Sequence, residues 1–120
     1  MLNNICLVGN LGGDPEMYYS SEKGEPIASF NLAFRLGKDK QGQDKTGWVK
    51  VTCFSKTAEI AEKYLHKGAK VALSGKIDYA QWEATDGSQR NAIQVIANGI
   101  EFIKTDGRGF EGQQADGTPI

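Results

Sequence analysis

The chain has 120 residues, room for one domain and little more. Apolar residues make up 39% and charged residues 24%, and the formal net charge is −1, the balance of an ordinary soluble globular fold. No apolar run approaches the roughly 20 residues needed to cross a bilayer, and the single histidine, His66, removes most routes to acid–base or nucleophilic catalysis.

Met1-Leu2-Asn3-Asn4 lacks the basic and apolar regions of a secretory leader, so a cytoplasmic protein is expected, one not associated with a membrane. Asn4 to Leu11 reads as a first strand, with Ile5, Cys6, Leu7 and Val8 in an apolar run that Gly12-Gly13-Asp14-Pro15 breaks. Met17-Tyr18-Tyr19 can resume pairing before a turn around Glu22-Lys23-Gly24-Glu25. From Ile27 to Arg35 the residues alternate, with Ala28, Phe30, Leu32 and Phe34 on one face and Ser29, Asn31 and Arg35 on the other, as in a half-buried strand. Gly37 to Gly47 has no apolar residue and three lysines, and is expected to be a flexible loop.

Trp48 to Phe54 is the most informative stretch. Val49, Val51 and Cys53 form a small apolar face suited to a core, while Trp48, Lys50, Thr52 and Phe54 share the other face. Two large aromatics interleaved with a lysine on a non-core face suit a base-stacking platform with a phosphate contact between its members. Thr57 to Lys67 has the one helical stripe, Ile60, Ala61, Tyr64 and Leu65. Ser55 or Thr57 is the expected N-cap, Glu59 falls in the first turn, and His66, Lys67 and Gly68 close the end.

Lys70 to Ala84 is extended again, with Val71, Leu73, Ile77 and Tyr79 on one face and Lys76 and Asp78 on the other. Asp86-Gly87 is a hairpin signal, and Arg90 to Ile103 returns as a fifth strand carrying Ile93, Val95, Ile100 and Ile103, with Trp82 near the hairpin tip. Residues 105–120 are rich in Gly, Gln and Asp and read as a short disordered tail behind a domain at 1–104. Three strands, a helix and a closing hairpin are the order of the OB-fold, an all-β five-stranded barrel with one helix between its third and fourth strands and an extended hairpin formed by the fourth and fifth.

Charge is unevenly spread: net −3 over residues 1–34, +6 over 35–76 and −4 over 77–120. A basic middle third is a localised footprint for a polyanion. Chemistry has no comparable support. Gly75-Lys76-Ile77 lacks the other marks of a phosphate loop, and Gly9-Asn10-Leu11-Gly12 does not match a dinucleotide fingerprint. Cys6 and Cys53 form no Cys-x-x-Cys pair and read as buried free thiols. No catalytic residue, metal or cofactor is assigned.

Leu7-Val8-Gly9-Asn10-Leu11-Gly12 with Asp14-Pro15-Glu16, then Trp48, Phe54-Ser55-Lys56, Ala58-Glu59, Tyr64-Leu65-His66-Lys67-Gly68, Gly75-Lys76 and Trp82 with Asp86-Gly87 resemble the bacterial-type single-stranded DNA-binding protein family over about residues 2–103. The resemblance implies a homotetramer of OB-folds that wraps single-stranded DNA, without sequence preference, during replication, recombination and repair. It implies base stacking on Trp48, Phe54 and Trp82. Lys50 joins them from the strand-face argument. Lys56, Lys67, Lys70 and Lys76 are added as backbone contacts from the distribution of charge, and Arg35 and Lys38 from their place near the mouth of the basic loop. RNA is a second ligand such a platform accepts, because stacking barely distinguishes the sugars.

Two departures stand out. Many bacterial members carry a further tryptophan after the second strand, where this chain reads Leu36-Gly37-Lys38. Members usually end in an aspartate run capped by Ile-Pro-Phe that recruits replication and repair proteins, whereas this sequence ends Ala115-Asp116-Gly117-Thr118-Pro119-Ile120. The alternative reading is an OB-fold adaptor of replication restart acting mainly through protein contacts, which would bury the three aromatics against a partner or tolerate their loss.

Overall fold

The computed structural model describes residues 2–105. Its elements are β1 (Ile5–Leu11), β2 (Glu16–Tyr19), β3 (Pro26–Lys38), β4 (Asp44–Phe54), α1 (Ser55–Tyr64), β5 (Lys70–Glu83) and β6 (Gln89–Lys104). β1 pairs with β5 over Ile5–Asn10 and with β3 over Gly9–Leu11, so the ladder β1-β5-β6-β4-β3 returns to β1. That closure makes the five-stranded barrel of the OB-fold, with β2 added against β3. All pairings are antiparallel except β4 with β6.

The core fills from alternate positions, as the period of a strand requires. Leu11 of β1, Ala28, Phe30 and Leu32 of β3, Val51 and Cys53 of β4, Val71 and Leu73 of β5, and Val95 and Ala97 of β6 are all buried. Helix α1 joins this cluster through Ala58 and Ala61, with Leu65 following; its small residues let the helix pack close to the barrel. Tyr64 meets Phe102 of β6 with ring centroids 5.3 Å apart.

Several expectations need correction. The helix begins at Ser55 and stops at Tyr64, so His66 and Lys67 lie beyond it. No side chain caps it: Phe54 is the N-cap residue and Ser55 has φ 53°, so the strand passes into the helix without a linker. The first turn therefore contains no acidic residue, and Glu59 lies further along. The supposed loop at 37–47 is mostly hairpin, because β3 runs to Lys38 and β4 starts at Asp44. Asp39 closes the turn by accepting from the N–H groups of Gln41 and Gln43, each at 2.9 Å.

The fifth strand departs from simple alternation at Asn98. Ser74 pairs with Gly99 but Gly75 pairs with Ala97, so Asn98 is an extra residue on β6. The bulge shifts the inward set from Val95 and Ala97 to Ile100 and Phe102, and Ile103 is exposed. Gly75 lies at this corner, where a Cβ would run into the Ile96 carbonyl. Ile77 and Tyr79 are exposed despite their parity with Val71 and Leu73: β1 covers β5 only as far as Gly75, which leaves Ile77 at the margin of the barrel, and Tyr79 lies beyond the β4–β6 ladder on the arm. Cys6 is exposed while Cys53 is buried. Of the expected tail, 106–120 lies outside the described residues.

Candidate nucleic-acid interface

The strand register assembles one outer face from four strands. Asn31 of β3 lies opposite Lys50 of β4, which lies beside Gln94 of β6, which lies opposite Asp78 of β5. Side chains two residues away along each strand share this face. It therefore carries Trp48, Lys50, Thr52 and Phe54 from β4, Lys76, Asp78, Ala80 and Trp82 from β5, and Arg90, Ala92 and Gln94 from β6. Trp48, Phe54 and Trp82 are 61%, 45% and 49% exposed. Such exposure of three large rings on one face of a small barrel marks an interaction surface.

Two grooves flank Lys50. The first, about 380 Å³, is walled by Gly12, Gly13, Asp14, Glu16, Tyr18, Ser29, Asn31 and Trp48. The Trp48 indole lies against Gly12: a Cβ there would fall 2.6 Å from its Cζ3 and 3.0 Å from its Cη2. Gly12 is held in turn, its N–H donating to the Asn31 carbonyl at 2.9 Å. The break after β1 is thus a floor for the ring.

The second groove, about 410 Å³, is lined by Lys50, Ala80, Trp82, Ala92, Ile93 and Gln94. It follows the root of the β5–β6 hairpin, which leaves the barrel as a two-stranded arm. Trp82 pairs directly with Arg90 across this arm. Arg90 is kept near the tip by Asp86, at 3.6 Å, and by donation from its Nε to the Ser88 hydroxyl at 3.2 Å. The Ser88 hydroxyl and N–H both donate to Asp86 and hold that carboxyl below its ordinary range. Sequence reading passed over Arg90; counting back across the Asp86-Gly87 turn would have placed it opposite Trp82.

The basic residues singled out from sequence fall into distinct places. Lys50 and Lys76 share the aromatic face. Arg35 and Lys38 stand at the β3–β4 hairpin, each 3.2 Å from the Asp44 carboxylate. Lys56 is exposed at the start of α1. Lys67 is fixed beside the first groove, because its N–H donates to Asp14 Oδ1 at 2.7 Å. Lys70 lines a different cleft, with Cys6, Val8, Asn10, Phe34, Arg35 and Thr46, which shares no residue with either aromatic groove.

Chemistry other than binding finds little here. Among the described residues no group of three or more His, Cys, Asp and Glu could hold a metal ion. Burial pushes the Cys53 thiol up to about 12, so it stays protonated and unreactive at neutral pH. Among the described residues no helix is long and apolar enough to cross a membrane.

Comparison with known proteins places residues 2–103 in the single-strand binding protein family. A single-stranded DNA-binding protein of Xylella fastidiosa is 35% identical over 114 residues, covering 91% of this chain and 69% of that protein. One from Neisseria meningitidis serogroup A is 37% identical over 105 residues, covering 85% and 60%. The single-stranded DNA-binding protein 3 of Clostridium acetobutylicum is 30% identical over 103 residues, covering 86% and 72%. This chain thus spans roughly two thirds of the length of the curated relatives it matches. Among solved structures, the Plasmodium falciparum SSB complex with ssDNA superposes with a TM-score of 0.78 at 24% identity, covering 87% of this chain and 96% of that one, a likeness of fold.

Proposed function

The chain belongs to the single-strand binding protein family, and from that premise we propose that it binds and protects single-stranded DNA, without sequence preference, during replication, recombination and repair. The observation that carries this reading is the joint exposure of Trp48, Phe54 and Trp82 on one face with Lys50 and Lys76 between them. An unpaired strand presents base faces that a duplex hides, so aromatic platforms select for strandedness and ignore sequence. Lysines along the strand neutralise phosphates and release counterions. Arg35, Lys38, Lys56, Lys67 and Lys70 extend the positive field beyond the central face. Arg35 and Lys38 act with their charge partly offset by Asp44.

Family membership also favours a homotetramer. The reverse side of the arm supports assembly: Tyr79 and Ile93, directly opposite each other, are 56% and 58% exposed, with Ile77 beside them. Light scattering at micromolar concentration reads the stoichiometry, and a monomer would remove the assembly from the account. A cytoplasmic, nucleoid-associated location goes with this function. The adaptor reading differs in its response to DNA: it expects Trp48 and Trp82 emission to ignore single strands, or binding to tolerate their loss. RNA binding by the same platforms is the companion test in the titration that follows.

The function is tested by tryptophan fluorescence on addition of oligo-dT, oligo-U and a matched duplex at low and moderate salt. Quenching by single strands alone, weakened by salt, is expected. A folded protein whose emission ignores the single strands would overturn the reading.

A further inference from the structure

Gln94 stands where the arm leaves the barrel. Its register with Lys50 is the first rung of the parallel β4–β6 ladder, which runs inward to Cys53 beside Ala97. From Tyr79 opposite Ile93 out to Glu83 opposite Gln89, the arm is β5 and β6 alone. A two-stranded ribbon without a third strand twists freely and is marginally stable by itself. Trp82 is four residues beyond this point, roughly 14 Å along the strand, so a rotation of about 10° at the root moves it by about 2 Å.

A partly buried hydrogen-bonded chain crosses the root. The Thr52 hydroxyl of β4 donates to Gln94 Oε1 at 2.7 Å, and Gln94 Nε2 donates to Asp78 Oδ2 of β5 at 3.0 Å. The carboxylate accepts from the amide N–H, which fixes the orientation of the amide and leaves its oxygen to accept from the Thr52 hydroxyl. Three strands are thereby tied by side chains at the level where their backbone ladder ends.

Asp78 is out of place on charge alone, since a carboxylate on a face that meets phosphates repels the ligand. We propose that Thr52, Gln94 and Asp78 are a positioning clamp that sets the arm, and with it Trp82, relative to the β4 platform so that both platforms engage one strand. This rests on the single-strand reading above. The two roles of Asp78 have opposite signs: removing its charge favours binding, and removing its hydrogen bond disfavours it. Asn at this position keeps an acceptor for Gln94 and loses the charge, whereas Ala loses both.

The experiment uses oligo-dT and two single-tryptophan forms, Trp48→Phe and Trp82→Phe. In the Trp48→Phe form, Asp78→Asn is expected to bind more tightly than its parent. Asp78→Ala is expected to bind about fivefold more weakly than Asp78→Asn, with a smaller limiting quench of Trp82. In the Trp82→Phe form the limiting quench of Trp48 is expected to be the same for both. Reversing the polarity supplies a second test at constant net charge. Gln94→Glu alone should weaken binding and lower the limiting quench of Trp82, and adding Asp78→Asn should restore both, because the asparagine amide now donates to the new carboxylate. Restored charge balance alone returns the affinity but not the quench. Should Asp78→Ala not fold, this swap decides. Equal affinity and equal Trp82 quenching for Asp78→Ala and Asp78→Asn, or no recovery of the quench in the swap, overturns the clamp while leaving the binding function intact. Parents that ignore the strand overturn both.

Discussion

Trp48 stands on a barrel strand, with β3 alongside at Ala33 and Gly12 beneath its ring. Trp82 stands on a ribbon whose partner at that level is Arg90 of the other strand. The two rings offer the same stacking chemistry on different supports. At β4 the inward side chains Val51 and Cys53 are buried, so the backbone under the platform is held by the core. Beyond its root the arm has no core, and its reverse face shows Tyr79 and Ile93 to solvent. A platform on the barrel gets its position from the fold, while within one chain a platform on an arm needs side-chain ties to get one.

The comparison breaks most sharply at the rings themselves. Trp48→Ala is expected to cost about 1–3 kcal/mol of binding, roughly five- to 150-fold, with circular dichroism showing a folded barrel. Trp82→Ala should cost a similar amount or less. Unfolding in either variant would mean that the ring belongs to the core. Next comes Gly12→Ala, which adds a methyl where Trp48 lies and forces the ring aside. About a tenfold loss is expected, comparable with removing a stack, confined to Trp48 emission, with Trp82 still quenched.

A smaller effect is expected from Lys50→Ala, which removes the one cation shared by both grooves. Affinity should fall for every sequence alike, and the slope of log affinity against log salt should become shallower by about one. An unchanged slope would take Lys50 out of the phosphate path. The least visible change concerns the support under β4. Cys53, raised from 9.0 to about 12, contributes stability that is present below pH 9.0 and lost as the pH rises toward 12, since the unfolded thiol ionises first. Alkylation at neutral pH should accordingly modify Cys6 alone until denaturant is added; a readily labelled Cys53 would mean that β4 is not anchored by the core.

How far the sequence carried the reading depended on the range of the interactions involved. The faces of β4 were legible because Val49, Val51 and Cys53 alternate with Trp48, Lys50 and Phe54 within seven residues. The strand order pointed to the barrel for a similar reason. The bulge at Asn98 was not legible, since it arises from how β6 meets Gly75 more than twenty residues away. The same holds for Ile77 and Tyr79, which follow a core pattern in sequence but lie past the end of β1, Tyr79 out on the arm. The contact of Gly12 with Trp48 and the chain from Thr52 to Asp78 join residues far apart in sequence, and single-sequence patterning contains no trace of either. The helix start was misplaced because Ser55 and Thr57 looked like caps, whereas the strand enters α1 directly at Phe54.

The central claim is that Trp48 on the barrel and Trp82 on the arm engage the same strand. The most direct test titrates oligo-dT into Trp48→Phe and Trp82→Phe in parallel and compares the two quenching curves. The account expects both to fall, reaching saturation at the same number of nucleotides per protein and weakening together as salt rises. A response from one tryptophan only would contradict it and confine binding to a single platform.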